Sequence, residues 1–498
     1  MDAGVLTTFI IYLIGMLAIG IISYRLTSNL SDYVLGGRRL GPGVSALSAG
    51  ASDMSSWLLM GLPGAVYAAG GMNQIWLAVG LAIGAYLNWQ FVAKRLRTYT
   101  EVANDSITIP DFLENRFRDG SKILRVISAA VILLFFTFYT SSGMVGGAKL
   151  FEASFGLSYT QALWIGAVVI ISYTFLGGFL AVSWTDFIQG ILMFLALVIV
   201  PIVAVSELGG WGETVNKVGN IDPANLDAFA GMTALGIISL LAWGLGYFGQ
   251  PHILTRFMAL RSKNDVPKAR MIGTIWMVFA LFGAIFTGFA GIAYFAESPL
   301  PDGEQVFIQF SQVLFNPWVS GILLAAILAA IMSTIDSQLL VSSSAIAEDF
   351  YKAILRKDAS EKELVWIGRI SVAVIALIAI ALASNPDSSV LDLVSYAWAG
   401  FGAAFGPVII LSLFWKRTNR WGALAGMIVG AATVVIWKIL STAELNSAGE
   451  VIKEAVIPFN LYEIVPGFIF ALVAIIVVSL VTEAPSKEIE EEFEQAKL

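Results

Sequence analysis

Cysteine is absent from the 498 residues, and histidine occurs once. Disulfides, thiolate metal sites and cysteine nucleophiles are therefore excluded. One histidine without cysteine also leaves little with which to build the nucleophile–base set or metal centre of a membrane enzyme. Charge is scarce: 13% of residues are Asp, Glu, Lys or Arg, against about 25% in ordinary soluble domains. No stretch is basic enough to suggest nucleic acid. No soluble catalytic or sensory domain is expected, because the longest polar connections run to about 20–30 residues.

Apolar sequence fills the space instead. Hydrophobic residues make up 57% of the chain, and the mean hydropathy is +0.80. Thirteen apolar runs stand at about 5–24, 44–69, 74–93, 126–147, 160–182, 187–206, 232–250, 271–295, 318–345, 365–384, 390–414, 421–441 and 461–482. Runs near 20 residues predict an all-α polytopic membrane protein with about 13 transmembrane helices, in one transporter domain over 1–498.

Basic residues orient the runs. With the N-terminus outside, 25 of the 29 Lys and Arg fall in cytoplasmic connections. These are Arg25, Arg38 and Arg39; Lys94 to Arg125; Arg256 to Arg270; Lys352 to Arg369; Lys416, Arg417 and Arg420; and Lys487 and Lys497. Only Lys149, Lys217, Lys438 and Lys453 lie on the other side. The positive-inside rule then gives N-out and C-in, in a plasma (inner) membrane. The first run is not read as a signal peptide: it is too long, and Asp2 precedes it without a basic residue. Segment 488–495, EIEEEFEQ, is expected to be a solvated amphipathic part of a cytoplasmic tail over 483–498.

The second run carries a carboxylate, Asp53, and four serines within SAGASDMSSWLLMGLPG (48–64). A bare charge at membrane depth costs at least about 2.5–3.5 kcal/mol, which makes it a candidate functional residue. Glycine and proline beside it predict an interrupted helix, where transporters hold substrate and ions. The seventh run is interrupted at AWGLGYFGQP (242–251). Counting from the two breaks gives runs 2–6 and 7–11. Five helices reverse orientation, so an inverted repeat over about 41–206 and 232–414 is expected, with one extra helix before it and two after. The alternative is that these glycines are helix-packing contacts.

In the ninth run Ala330, Ser333, Thr334 and Ser337 share one helix face. Two hydroxyls and a carbonyl are hard, neutral ligands suited to Na⁺, and the broken second run would supply further carbonyls. Hydroxyls bonding back to their own helix are the alternative. Asp186, at the start of the sixth run, is either a helix cap or part of a second cation site with Ser333, Asp336 and Ser337. His252 is expected to make a structural hydrogen bond at a helix end, with proton carriage as the alternative. Trp57, Ser55, Tyr139, Trp243 and Tyr247 are candidates for a small aromatic pocket.

Four motifs carry a likeness: SAGASDMSSWLLMGLPGA (48–65), LAVSWTDFIQ (180–189), AWGLGYFGQPHIL (242–254) and SYAWAGFGAAFGP (395–407). Together they resemble the sodium/solute symporter family over about residues 5–480, and most of all its proline-carrying members. The resemblance implies a leucine-transporter-like five-plus-five inverted-repeat core. It also implies alternating-access uptake of L-proline driven by Na⁺, with no organic cofactor, no enzymatic activity and no obligate protein partner. Carried onto this chain, it implies Na⁺ held by carbonyls of Ala51, Met54 and Ala330 and by hydroxyls of Ser333 and Thr334, supported by Asp53. It assigns Ser55, Trp57, Tyr139, Trp243, Tyr247 and Pro251 to proline, and Arg38 to an inner gate. Some relatives that use two sodium ions have a serine where Asp336 stands. The rivals are symport of pantothenate, a sugar or an organic acid, coupling to H⁺ or Li⁺, and a transporter-like sensor.

Overall fold

A computed structural model describes residues 3–24, 30–174, 178–442, 444–445, 451–453, 455–457 and 460–497. Asp2 and Arg25 lie outside them. Among the described residues, ten helices are long and apolar enough to cross a membrane, and three more apolar helices are shorter. The chain order is α1 (Ala3–Tyr24), α2 (Pro42–Asp53), α3 (Leu62–Ala69), α4 (Ile75–Leu87), α5 (Ile123–Phe155), α6 (Tyr159–Thr174) and α7 (Phe179–Glu207). It continues through α8 (Ala234–Leu241), α9 (Pro251–Met258), α10 (Val266–Tyr294), α11 (Pro317–Ser344), α12 (Glu361–Leu382), α13 (Val390–Phe414), α14 (Arg420–Ser441), α15 (Ile464–Val481) and α16 (Lys487–Gln495). The only strand pairing among the described residues is a short ribbon, Glu444–Leu445 with Val451–Lys453.

The sequence runs and the helices differ where apolar content hides a turn. The second run is two helices, α2 and α3, separated by residues 54–56 and a wide π turn over Trp57–Gly61. The seventh run is α8 and a tight 3₁₀ stretch over Ala242–Gly249, and a further helix, α9, starts directly after it. Pro251 opens α9 at its first turn, where a missing N–H costs nothing. The fifth run is described as α6 as far as Thr174, and α7 starts at Phe179, eight residues before the sixth run is expected to begin.

Packing separates an inner bundle from a lipid-facing rim. In the most apolar windows of α11 and α13, 83% of residues are buried, against 22% in α1 and 28% in α14. Ile11, Ile14, Ile22, Val168 and Ile202 are each more than 60% exposed, the outward apolar surface a bilayer requires. α2 packs against α7, α9, α10 and α11, while 242–249 packs against α4, α13 and α15. The approach to α4 needs glycine: a Cβ on Gly84 would overlap the Gly244 carbonyl. Both breaks thus lie inside the bundle.

The tail is amphipathic, but its apolar face is docked on the protein while Glu488, Glu491 and Glu494 stay exposed. Ile489 and Phe493 of α16 are buried. Phe493 lies beneath the guanidinium groups of Arg95 and Arg116, at 5.3 and 5.4 Å, and edge-on to Tyr99 at 6.3 Å. Arg118 pairs with Glu492. The acidic run overlies a basic surface whose three arginines come from the single connection Lys94 to Arg125, a match that charge counting within the tail cannot reveal. We expect Phe493→Ala to open this contact. Deleting a buried Phe costs about 3–5 kcal/mol, so cleavage of the tail by limited proteolysis should rise by ~100-fold or more. An unchanged cleavage rate would mean that Phe493 does not hold the tail down.

Candidate functional site

The break between α2 and α3 releases backbone oxygens. In an unbroken helix the Ala51 carbonyl would accept from the Ser55 N–H, but that N–H goes to the Asp53 carbonyl at 3.0 Å. The Leu58 N–H likewise goes to the Ser55 carbonyl at 3.1 Å, which frees the Met54 carbonyl from its i+4 partner. The α11 face meets this opening. Ser333 Oγ donates to the Ala51 carbonyl at 2.8 Å and to the Ala330 carbonyl at 3.1 Å, and Thr334 Oγ1 lies 3.4 Å from the Ala51 carbonyl. All four residues are essentially buried. Two hydroxyls and a set of carbonyls, distant by about 280 residues in sequence, thus converge between α2 and α11. Neutral oxygens in this number suit a monovalent hard cation better than a divalent one, which takes more carboxylate. No group of three or more His, Cys, Asp or Glu forms a metal cluster among the described residues.

Asp53 closes α2 and is fully buried. Tyr247 Oη donates to its Oδ2 at 2.6 Å, while its Oδ1 has no hydrogen-bond partner among the described residues. Its main-chain carbonyl accepts from Tyr139 Oη at 2.9 Å and Trp57 Nε1 at 3.2 Å. One residue therefore ties the first break to α5 and to the second break. Ser55 turns its Oγ to the Trp57 N–H at 3.4 Å. Trp57 and Trp243 face each other with ring centroids 6.0 Å apart. Pro251 lines a small cavity with Thr108, Ile132 and Asp349.

Several members of this site do not follow from the sequence reading. Trp398 on α13 stacks on Trp243 at 6.4 Å, meets Tyr247 edge-on at 5.0 Å, and donates Nε1 to the Trp243 carbonyl at 2.7 Å. Tyr462 also stacks on Trp243 at 5.5 Å. Asn88 donates to the Tyr247 carbonyl at 2.9 Å. Trp398 lies inside the motif at 395–407, and the unusual density of aromatic and small residues there was the available signal. His252 makes no structural hydrogen bond: neither ring nitrogen has a partner among the described residues. The ring packs edge-on to Phe136 and Tyr139 instead.

Asp186 is not a helix cap, since α7 begins seven residues earlier. It is fully buried and accepts from Ser48 Oγ at 2.7 Å and from the Arg256 guanidinium at 3.1 Å. The same Arg256 nitrogen reaches Ser337 Oγ at 2.6 Å. Ser337 in turn donates to the Ser333 carbonyl at 2.8 Å and lies 3.5 Å from Asp336 Oδ1. Arg256, which the charge count assigns to a solvated connection, is fully buried in α9.

Ion pairs hold both ends of the bundle. Arg38 follows Gly36 and Gly37, and all three have positive φ, which turns its side chain inward. It donates to Asp105 at 2.9 Å, to the Met258 carbonyl at 2.8 Å and to the Ser106 carbonyl at 2.7 Å. Burial lowers this guanidinium from its ordinary pKa, and Asp105 opposes that shift. Leu40 pairs with 259–261 through main-chain bonds of 3.1 and 2.9 Å. Arg125 lies 2.7 Å from Asp349 and 2.9 Å from both Asp111 and Glu114. At the other end of α5, Lys149 pairs with Glu304 at 2.7 Å, and Glu304 accepts the Val390 and Leu391 N–H groups at 3.2 Å. Some 24 residues of helix, about 36 Å, separate the two networks.

Two broken helices within a buried helical bundle, closed by polar networks at opposite ends, are the architecture of a membrane transporter. The sodium:solute symporter family model matches residues 33–430, and the chain belongs to that family. It is 55% identical over 497 residues to the sodium/proline symporter of Escherichia coli K12, covering 99% of this chain and 96% of the relative. It is 54% identical to the high-affinity proline transporter PutP of Bacillus subtilis 168, covering 96% and 98% of the two chains. Among solved structures, the substrate-bound outward-open state of a Na⁺-coupled sialic acid symporter aligns with a TM-score of 0.79 at 19% identity, over 98% of this chain and 99% of that one. At that identity the match speaks for the fold alone.

Proposed function

We propose that the chain takes up L-proline by Na⁺-coupled symport across the plasma membrane. On this reading thirteen spans cross the bilayer, N-out and C-in, with the repeats over 41–206 and 232–414 as the moving core. Na⁺ binds between α2 and α11 at the oxygens of Ala51, Met54, Ala330, Ser333 and Thr334, and Asp53 supplies nearby negative charge. The observation that carries the reading is the convergence of Ser333 and Thr334 on the released Ala51 carbonyl. Relatives matched over nearly their whole length, one named a sodium/proline symporter and one a high-affinity proline transporter, support the substrate.

Coupling follows from state-dependent affinity. Na⁺ fills ligands contributed by two elements, so its binding favours the arrangement in which α2 and α11 are apposed. That arrangement also sets the Asp53–Tyr247 bond and, through it, the aromatic cluster. Proline binds there against Trp57, Trp243, Tyr247 and Tyr139, close to Ser55. The Glu304–Lys149 contacts close one side, and Arg38 with Leu40 guards the other. The inside-negative potential contributes about 2.3 kcal/mol per charge per 100 mV to inward movement.

Labelled L-proline uptake into proteoliposomes tests the proposal. Accumulation is expected under an inward Na⁺ gradient and not under K⁺ or pH gradients alone. Sodium-stimulated uptake of another solute but not proline would retain the ion site and reject the pocket. A pocket variant sharpens the test. A Cβ on Gly246 would overlap Trp398 Nε1. Overpacking of this kind costs about 1–3 kcal/mol. Gly246→Ala should therefore raise the proline KM by ~10-fold at saturating Na⁺ and leave sodium activation within ~3-fold. A larger shift in sodium than in proline would reject Trp398 as part of the pocket.

A further inference from the structure

Asn88 stands where α4 ends and a wide π turn over Asn88–Ala93 begins, a distortion that often marks functional positions. The close approach of Gly84 to Gly244 brings this next turn of the chain beside Tyr247. Asn88 Nδ2 donates to the Tyr247 carbonyl at 2.9 Å. A carbonyl only accepts, so this bond orients the amide and leaves Oδ1 as a second acceptor. That Oδ1 is buried and has no partner among the described residues, and the same holds for Asp53 Oδ1. Both residues line one small cavity between α2, α9 and α10. Most of the remaining wall is carbon, from Ala46, Ala49, Ala85, Ile253 and Phe257. About 10 Å³ of it is open to the centre of a water-sized sphere, which holds a water molecule and excludes proline.

Resting on the symport reading above, we infer that this cavity is a water site, in which one water donates to Asp53 Oδ1 and to Asn88 Oδ1 and makes Asn88 a positioning residue for the carboxylate. The chemistry is a match of donors to acceptors. Two buried acceptors face one small space, and water brings two O–H donors. Buried waters take such places, bonding polar groups that are otherwise unsatisfied. An unmet acceptor is costly, and more so when it is charged. A hard cation fits less well, because calcium and magnesium take six or more oxygen ligands and this cavity turns two side-chain oxygens inward. The water closes a ring. Tyr247 Oη donates to Asp53 Oδ2, Asn88 Nδ2 donates to the Tyr247 carbonyl, and the water joins Asn88 to Asp53. The ring ties the α2 break, the end of α4 and the second break together, and each bond polarises the next. It holds the Asp53 charge in a fixed place relative to Ala51, two residues earlier. Asn88 is not among the proposed sodium ligands and acts on the ion only through the water and Asp53.

Two measurements on the full chain test this. The first is a density map of the wild type in Na⁺, at a resolution that shows ordered water. One peak is expected between the two Oδ1 atoms, at hydrogen-bond distances of about 2.7–3.2 Å from each. A cavity without a peak overturns the inference, and so does a peak closer than about 2.6 Å to both oxygens, the range of a metal ligand. The second measurement is uptake by an isosteric pair that leaves Asn88 in place. Ala85→Val fills the cavity with methyl groups and displaces the water. Ala85→Thr has the same shape but brings an O–H of its own. At saturating proline, the sodium concentration for half-maximal uptake should rise ~10-fold or more in Ala85→Val, where a charged acceptor is left unmet. In Ala85→Thr it should stay within ~3-fold of wild type. The proline KM at saturating Na⁺ should stay within ~3-fold in both. Equal sodium constants for the two variants overturn the role of the water, since packing alone treats the pair alike. Should neither variant assemble, the wild-type map decides the site. Wild-type uptake that does not depend on sodium would reject the symport reading and leave the map unaffected, so the two failures are distinguishable.

Discussion

Replacing both hydroxyls, Ser333→Ala with Thr334→Ala, should raise the sodium concentration for half-maximal uptake by at least ~100-fold. A hydrogen bond or ligand contact to a charged group contributes about 1.5–3 kcal/mol, and two are removed together. Because 1.4 kcal/mol is tenfold, the expected loss spans two decades or more. The proline KM, read at sodium high enough to saturate the variant, should change little, since neither hydroxyl contacts the aromatic cluster in this structure. The mirror experiment is Trp243→Ala. Trp243 stacks with Trp398 and with Tyr462 and lies 6.0 Å from Trp57. Its loss should raise the proline KM far more than the sodium activation constant. Linkage couples the two ligands reciprocally, so the separation is visible only with the second ligand held at saturation. Equal shifts in both constants for both variants would reject the division of labour.

How much of this site could be read from residues alone depended on how local each signal was. The α2 break was legible because Asp53, four serines, glycines and Pro63 lie within seventeen residues. The α11 face was legible because helical periodicity places Ser333, Thr334 and Ser337 together. That the two would meet was an inference from class, and the Ser333–Ala51 bond is the contact that joins them. Arg256 was missed for the opposite reason. Charge counting treats an arginine near the end of an apolar run as a loop residue, yet the break at Gly249–Gln250 restarts the helix, and Arg256 falls one turn beyond His252 on the buried face. The same rule failed for Arg116, which is fully buried against the rings of Tyr99 and Phe493. The tail was misread because its partners, Arg95, Arg116 and Arg118, are nearly four hundred residues away in sequence. Apolar runs report which segments enter the bilayer. They do not report where a helix restarts inside it, and in this protein the restarts carry the polar chemistry.

Asp53→Asn is the second large effect. The substitution keeps the side-chain volume and an oxygen for the Tyr247 hydroxyl, and removes one negative charge. Asp53 follows Ala51 by two residues, so its carboxylate lies within roughly 8 Å of the proposed ion. At an effective dielectric of about 20 that separation is worth about 2 kcal/mol, or ~30-fold in sodium affinity. Sodium activation should weaken by that order, and uptake at a fixed, sub-saturating sodium concentration should fall in proportion. Tyr247→Phe is the control: it removes the hydroxyl bonded to Oδ2 at 2.6 Å and keeps the charge. It should disturb proline recognition through the Tyr247 ring and leave sodium activation nearer to wild type. A sodium activation constant for Asp53→Asn within twofold of wild type would mean that the carboxylate serves the bridge to Tyr247 alone. Loss of charge and loss of the bridge predict different constants to change, and kinetics of the two variants side by side separate them.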